Sequence, residues 1–367
     1  MSACDPTGRR IRVLVVDDSA FMRTALSRMI NSEPDLEVVA SACSGSCALE
    51  KIAALNPDVV TLDVSMPGLD GMGTLRCIMN QFPRPVLMVS ATTEKGAETT
   101  LSALSVGAFD YIPKQLPEAS LDIRHIRADL IAKIRAAAHS RRSVPAQSCH
   151  MKKSPGALAV PTNRSHRVIP EVVAIGVSTG GPKALEQMLP CFPGSFSLPI
   201  MIVQHMPVGF TAAFAQRLNN LCAIAVREAR HHEPIEAGVA YIAPAGKHMR
   251  ILQPPFDLQP IVSLDPQPQN ALHIPSIDIL LNSVADTFHD RAIGVIMTGM
   301  GSDGAEGMSA IFQEGGLTIG QDQASCAVYG MPRVCANFAF STRLCRLQRS
   351  PSKSCEQRHD DSVHKPG

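Results

Sequence analysis

Short apolar, β-branched runs alternate with stretches of helical period along most of the chain, and this alternation limits the fold more than any other feature. A strand separated from the next by a helix pairs with it in parallel, so a long series of such units predicts a doubly wound sheet covered by helices. In the first part, residues 11–16, 36–40, 59–62, 85–89 and 108–112 read as strands. Stretches 21–30, 48–54, 101–106 and one ending near 138 read as helices of a set of five. The pattern resumes with strands at 172–175, 198–204, 223–226, 239–242 and 292–297, and with helices ending near 189, over 210–221 and over 277–285. A Pro-rich excursion, 254–268, interrupts it. At 367 residues the chain suits two such domains, since one domain takes about 100–200 residues.

In sheets of this kind ligands sit outside the carboxyl ends of the strands, and those ends carry chemically active residues. In the first half Asp17 and Asp18 close the first strand, Asp63 the third and Ser90 the fourth, and Lys114 follows the fifth. Three carboxylates on one rim repel one another unless a cation lies among them, which points to a hard metal such as Mg²⁺. Lys114 and Ser90 could hold the oxygens of a phosphoryl group there. A single acid at a strand end is more often a helix cap; five matched positions argue against that.

In the second half Ser178 stands in Gly176-x-Ser178-x-Gly180, directly after a strand. This spacing fits a nucleophile elbow, in which a tight turn presents a hydroxyl beside backbone N–H groups. Alone, such a Ser is more often a cap, and Pro182 stands where a phosphate-binding loop would need Lys. His205 and Asp303 follow two other strands, and Asp303 could cap the helix beginning at Ala305. Together the three supply a nucleophile, a general base and an orienting carboxylate. The order Ser, His, Asp departs from that of α/β-hydrolases, whose His would have to be His359 or His364 in a polar tail unsuited to packing an imidazole.

Composition removes several classes. Net charge is +1, with 45% hydrophobic and 18% charged residues, a balance that fits neither disorder nor a nucleic-acid surface. Residues 139–168 carry six Lys or Arg and no Asp or Glu; without aromatic side chains to stack on bases they read as a solvated basic tether. The eleven scattered Cys and the lack of an apolar h-region suggest a reduced, cytoplasmic protein, and Cys43 and Cys47 lack the companions of a zinc site. No apolar run approaches the ~20 residues of a membrane span. No helix-turn-helix pattern supports a transcription factor.

The motifs V-D-D-S, L-D-V-S-M-P-G-L-D-G, V-S-A and F-D-Y-I-P-K resemble the response-regulator receiver family over residues 10–133. The resemblance implies a flavodoxin-like domain phosphorylated on Asp63 by a histidine kinase. It also implies Mg²⁺ held by Asp17, Asp18, Asp63 and the Ser65 carbonyl, Lys114 in its usual role, and Ser90 and Tyr111 coupling phosphorylation to shape. Gln115 replaces the family's Pro after that Lys.

The motifs G-V-S-T-G-G-P, I-V-Q-H-M-P-V-G-F-T, Y-I-A-P-A-G, P-S-I-D and M-T-G-M-G-S-D-G-A resemble the chemotaxis protein-glutamate methylesterases, a Rossmann-like esterase domain behind a receiver. That resemblance implies Ser178 as nucleophile, His205 as base, Asp303 as orienting acid, and Thr179 and Met300 lining the oxyanion region. It implies action on glutamate methyl esters of chemoreceptor helices and deamidation of receptor glutamines, with Phe210 and Thr211 available for docking. The expected layout is a receiver at 10–133, a linker at 134–168, a catalytic domain at 169–345 and a disordered tail at 346–367. A monomer is expected, with the unphosphorylated receiver covering the cleft. After Arg333 the chain departs from the family's Ala-rich helix and apolar finish. A damaged catalytic domain would leave a phospho-responsive receptor-binding protein without catalysis, the alternative function.

Overall fold

The computed structural model describes residues 9–90, 94–114, 120–142, 168–256, 259–337 and 343–345. The expected linker beyond residue 142, the tail beyond residue 345 and Gln115 lie outside the described residues.

The first domain alternates strictly: β1 (Ile11–Val16), α1 (Ala20–Asn31), β2 (Leu36–Ala42), α2 (Gly45–Leu55), β3 (Val59–Asp63), α3 (Gly71–Gln81), β4 (Val86–Ser90), α4 (Glu94–Val106), β5 (Asp110–Pro113) and α5 (Ser120–Arg142). The five strands are all parallel in the order β2-β1-β3-β4-β5, the flavodoxin-like arrangement. β3 and β4 are buried at every position, as strands covered on both faces must be. α5 continues to Arg142, so residues 134–142 of the expected linker are helical. Ile134, Ala137 and Ala138 are buried in the receiver core, and that apolar stripe carries the helix past the expected boundary.

The second domain contains β6 (Val172–Val177), α6 (Gly181–Met188), β7 (Ile200–Gln204), α7 (Thr211–Leu221), β8 (Ala225–Glu228), β9 (Val239–Ile242), β10 (His248–Leu252), β11 (Ile261–Asp265), α8 (Ile277–Phe288), β12 (Ala292–Ile296), α9 (Ala305–Gln313), β13 (Leu317–Gln321), α10 (Met331–Asn337) and β14 (Arg343–Cys345). Seven strands form a parallel sheet in the order β14-β13-β12-β6-β7-β9-β8. β10 and β11 form a separate antiparallel pair, so part of the Pro-rich excursion is strand. Its alternating residues pack on α8, where Ser283 Oγ accepts from Ile251 N–H at 3.0 Å. Beyond Arg333 the chain still adds α10 and the edge strand β14, which pairs with β13.

The chain leaves β6 on one side for β7 and returns on the other through β12. The switch point therefore lies at β6, whose carboxyl end carries Ser178. The receiver meets this domain through α4 and β5, and one continuous apolar cluster includes Tyr111 of β5 together with Phe210 and Phe214.

Candidate active site

Ser178, His205 and Asp303 follow β6, β7 and β12 respectively. Nδ1 of His205 lies 3.2 Å from Ser178 Oγ, and its Nε2 lies 2.8 Å from Asp303 Oδ2. The loops are tied together below the site. His205 N–H donates to Val177 O at 3.1 Å, and Gln204 Nε2 donates to the carbonyls of both Ser178 and His205 at 3.0 Å.

The helix-cap alternatives do not describe these residues. α6 starts at Gly180, in the left-handed region with φ 75°, and has no side-chain cap. α9 starts at Gly304, also without one. Asp303 instead faces the N-terminus of α8, accepting from Ser276 Oγ at 2.9 Å, Ile277 N–H at 2.8 Å and Asp278 N–H at 3.0 Å. Burial by itself would raise its carboxyl, but the His205 hydrogen bond and charge and those backbone donors hold it well below the usual carboxylate range. Asp278, buried and close to the Asp303 charge, is raised to about 6.

Ser178 N–H donates to Thr298 O at 3.0 Å and is thereby committed. Thr179 and Met300 stand on the two loops flanking the hydroxyl, and Thr298 Oγ1 anchors the first by donating to Thr179 O at 2.9 Å. Gly299 brings these loops together, since a Cβ there would lie 2.8 Å from Ser178 Cβ and would strike Met331 Sδ. A rigid, glycine-built turn holding a hydroxyl against a carboxylate-backed imidazole can perform acyl transfer.

The receiver lies over this cleft. Tyr111 stacks on Phe210, and Asp110, whose carboxyl is raised by burial, has Thr179 of the second domain acting against that rise. Ser105, Glu186 and Arg217 form a polar cluster at the rim, with Arg217 donating to Ser105 Oγ at 2.6 Å. Phe210 is thus covered, and Thr211 turns inward, bonding Glu228 and accepting from Ala245 N–H. Thr211 is not placed to dock a partner.

At the receiver's own switch point, ligand oxygens of Asp17, Asp18 and Asp63 all lie within 4.8 Å of one another. α1 is capped by Ser19 and α3 by Asp70, so Asp17 and Asp63 are not these helices' caps. Asp17 Oδ2 and Asp63 Oδ2 are buried and face Lys114 Nζ at 3.2 and 2.7 Å. Burial raises the Asp63 carboxyl despite Lys114. Three clustered carboxylates, two of them with buried oxygens that share one lysine, fit a hard divalent cation. Ser90 Oγ donates to Gly96 O at 3.3 Å, and Tyr111 is buried, with Lys133 Nζ 5.3 Å from its ring centre.

Sequence reasoning did not single out Gln204, Ser276 or Asp110. Ser276 and Asp278 belong to P-S-I-D, a motif noted for its resemblance, but nothing local shows that this helix start would receive Asp303.

A receiver sheet joined to a doubly wound domain with Ser, His and Asp at its switch point defines a receiver-coupled hydrolase. Residues 173–353 match the CheB methylesterase family and residues 13–125 the response regulator receiver domain, so the family match runs well past Arg333. A protein-glutamate methylesterase/protein-glutamine glutaminase of Lawsonia intracellularis is 45% identical over 347 residues, covering 92% of this chain and 96% of that protein. One of Nitratidesulfovibrio vulgaris is 48% identical over 354 residues, covering 91% and 95%. The crystal structure of the Thermotoga maritima CheB methylesterase catalytic domain is 34% identical, with a TM-score of 0.46, and covers 48% of this chain and 93% of that one. The chain belongs to the CheB methylesterase family and is an enzyme of that family with a receiver domain. No described helix is long and apolar enough to cross a membrane.

Proposed function

We propose that the chain hydrolyses glutamate γ-methyl esters on chemoreceptors, and deamidates receptor glutamines, under the control of phosphorylation at Asp63. The observation that carries this is the unbroken contact from Ser178 through His205 to Asp303 beneath a receiver strand. His205 Nδ1 takes the Ser178 proton as Oγ attacks the side-chain carbonyl, while Nε2–H stays on Asp303. Backbone donors at Thr179 and Met300 meet the oxyanion, a donor of this kind being worth roughly 3 kcal/mol. The imidazolium returns its proton to the departing methoxide or amide nitrogen, releasing methanol or ammonia and leaving the acyl-enzyme. Water, deprotonated by His205, then cleaves the ester and frees glutamate and Ser178.

Exposed Val208 (68%) and Leu272 (78%) flank His205 and the neighbouring His273, and an apolar rim of this kind suits the face of a receptor helix. In the receiver, the Asp63 carboxylate attacks the phosphorus of a kinase phosphohistidine, the P–N bond breaks and the imidazole leaves. Asp17, Asp18, Asp63 and the Ser65 carbonyl would hold Mg²⁺, which when bound neutralises the oxygens of the incoming phosphoryl group. Lys114 supplies further positive charge. The added charge of about −2 biases the receiver away from the cleft through Ser90 and Tyr111. Methanol release from methylated receptor membranes, compared with receptor binding, tests the reading: activity in the wild type lost in Ser178→Ala supports it, and binding without any Ser178-dependent release opposes it.

A further inference from the structure

The imidazole of His205 is tethered at its two edges, by Ser178 Oγ at 3.2 Å and Asp303 Oδ2 at 2.8 Å. Two contacts, one at each nitrogen, do not by themselves fix rotation of the ring about the line joining those nitrogens. Its flat face meets a second ring: His273 stacks on it with centroids 4.1 Å apart and planes 22° from parallel. We propose that His273 is a positioning residue for the hydrolytic reaction, an aromatic platform that fixes the plane of His205 and favours its protonated form once the Ser178 proton has moved onto it. This rests on the hydrolase function proposed above.

The platform is itself held. His273 lies in the connection between β11 and α8, where Gly246 N–H donates to Ile274 O at 3.2 Å. Ser276 N–H donates to Nδ1 of the buried His248 at 3.1 Å, and Ser276 Oγ reaches Asp303. The same short segment therefore places both the carboxylate at the edge of His205 and the ring on its face. The charges that act on His273 are those of His205 and Asp303 from its own domain and of Asp129 and Lys133 from α5 of the receiver. Burial first, and then the charge of His205, lower His273 to about 4, so its ring is neutral near pH 7. A neutral π face attracts an adjacent cation, whereas a protonated ring would repel it.

A side chain that merely filled the space would be replaced without loss by any apolar group of similar size. The test therefore compares His273→Leu, which fills the site without a π face, with His273→Phe, which keeps one. Both are measured in the full chain with phosphodonor and methylated receptor membranes. For His273→Leu we expect kcat about tenfold lower through misorientation of the base, with KM unchanged and the acidic limb of the rate profile displaced to lower pH. For His273→Phe both are restored close to wild type. Equal kcat and equal acidic limbs in the two variants, whether both active or both impaired, overturn the proposal. Wild type and Ser178→Ala run alongside: absence of Ser178-dependent release removes the hydrolase reading as well, whereas release with indistinguishable Leu and Phe variants removes the role of His273 alone.

Discussion

The ring of Tyr111, at the receiver's last strand, lies flat on that of Phe210, five residues beyond His205, with centroids 5.0 Å apart and planes 6° from parallel. Such a pair contributes about 0.5–1.5 kcal/mol beyond the area it buries, and here it ties the regulatory domain to the catalytic cleft. Tyr111→Ala should raise the rate of methanol release without phosphodonor and shrink the further gain on adding one. An unchanged basal rate would separate the stack from inhibition.

Arg217 donates to Glu186 within its own domain and to Ser105 across the domain boundary. Partly exposed ion pairs contribute about 0.2–1 kcal/mol, so Arg217→Ala should raise the basal rate by less than about fivefold. The rate with phosphodonor should stay as in the wild type, which a paired assay of the two conditions checks.

Gly299 has no room for a side chain beside Ser178. Gly299→Ala should cut methanol release by about two orders of magnitude, the typical result of displacing a reacting group by an ångström. Phosphorylation of Asp63 by a small-molecule donor should be unaffected, because the receiver's acidic cluster lies on the other domain.

His273, lowered from 6.5 to about 4 by burial and then by the His205 charge, gives a signed pH effect. The unfolded chain binds the proton more readily, so the stability of the neutral ring is fully present above about 6.5 and is lost as the pH falls towards 4. His273→Phe lacks this loss. Urea midpoints at pH 7 and pH 5 should fall less in the variant than in the wild type, and parallel decreases would contradict the shift.

Chelating Mg²⁺ should abolish stimulation by phosphodonor while leaving the basal esterase rate intact, since the Asp17, Asp18 and Asp63 cluster belongs to the receiver and the proposed Ser178–His205–Asp303 chemistry invokes no metal. A basal rate that falls equally would place a metal in the esterase chemistry.

The alternation of apolar runs and helical stretches made the receiver sheet legible, together with every strand of the second sheet except β13 and β14, because parallel strands such as β3 and β4 are buried at every position and mostly apolar. Strands with mixed faces were not legible: β11 is intermediate in burial at most positions, lies within a Pro-rich stretch, and is defined by its pairing with β10. The edge strand β14 comes from a stretch rich in Arg and Cys, and its place is set by β13. Ser178, His205 and Asp303 could be singled out because each follows a strand, but how Asp303 is held could not. Its donors come from Ser276 and the start of α8, a partnership that depends on how α8 packs across the strand ends. The Tyr111 stack on Phe210 was hidden for the same reason, since it joins two domains and no spacing within either encodes it.

Access to Ser178 governed by phosphorylation at Asp63 is tested most directly by methanol release from methylated receptor membranes, with and without phosphodonor, for wild type, Asp63→Asn and Ser178→Ala. Coupling of 1–3 kcal/mol between the two sites gives a rise of about 5- to 150-fold in the wild type, with Asp63→Asn fixed at the basal rate and Ser178→Ala silent throughout. Equal wild-type rates with and without phosphodonor would contradict it.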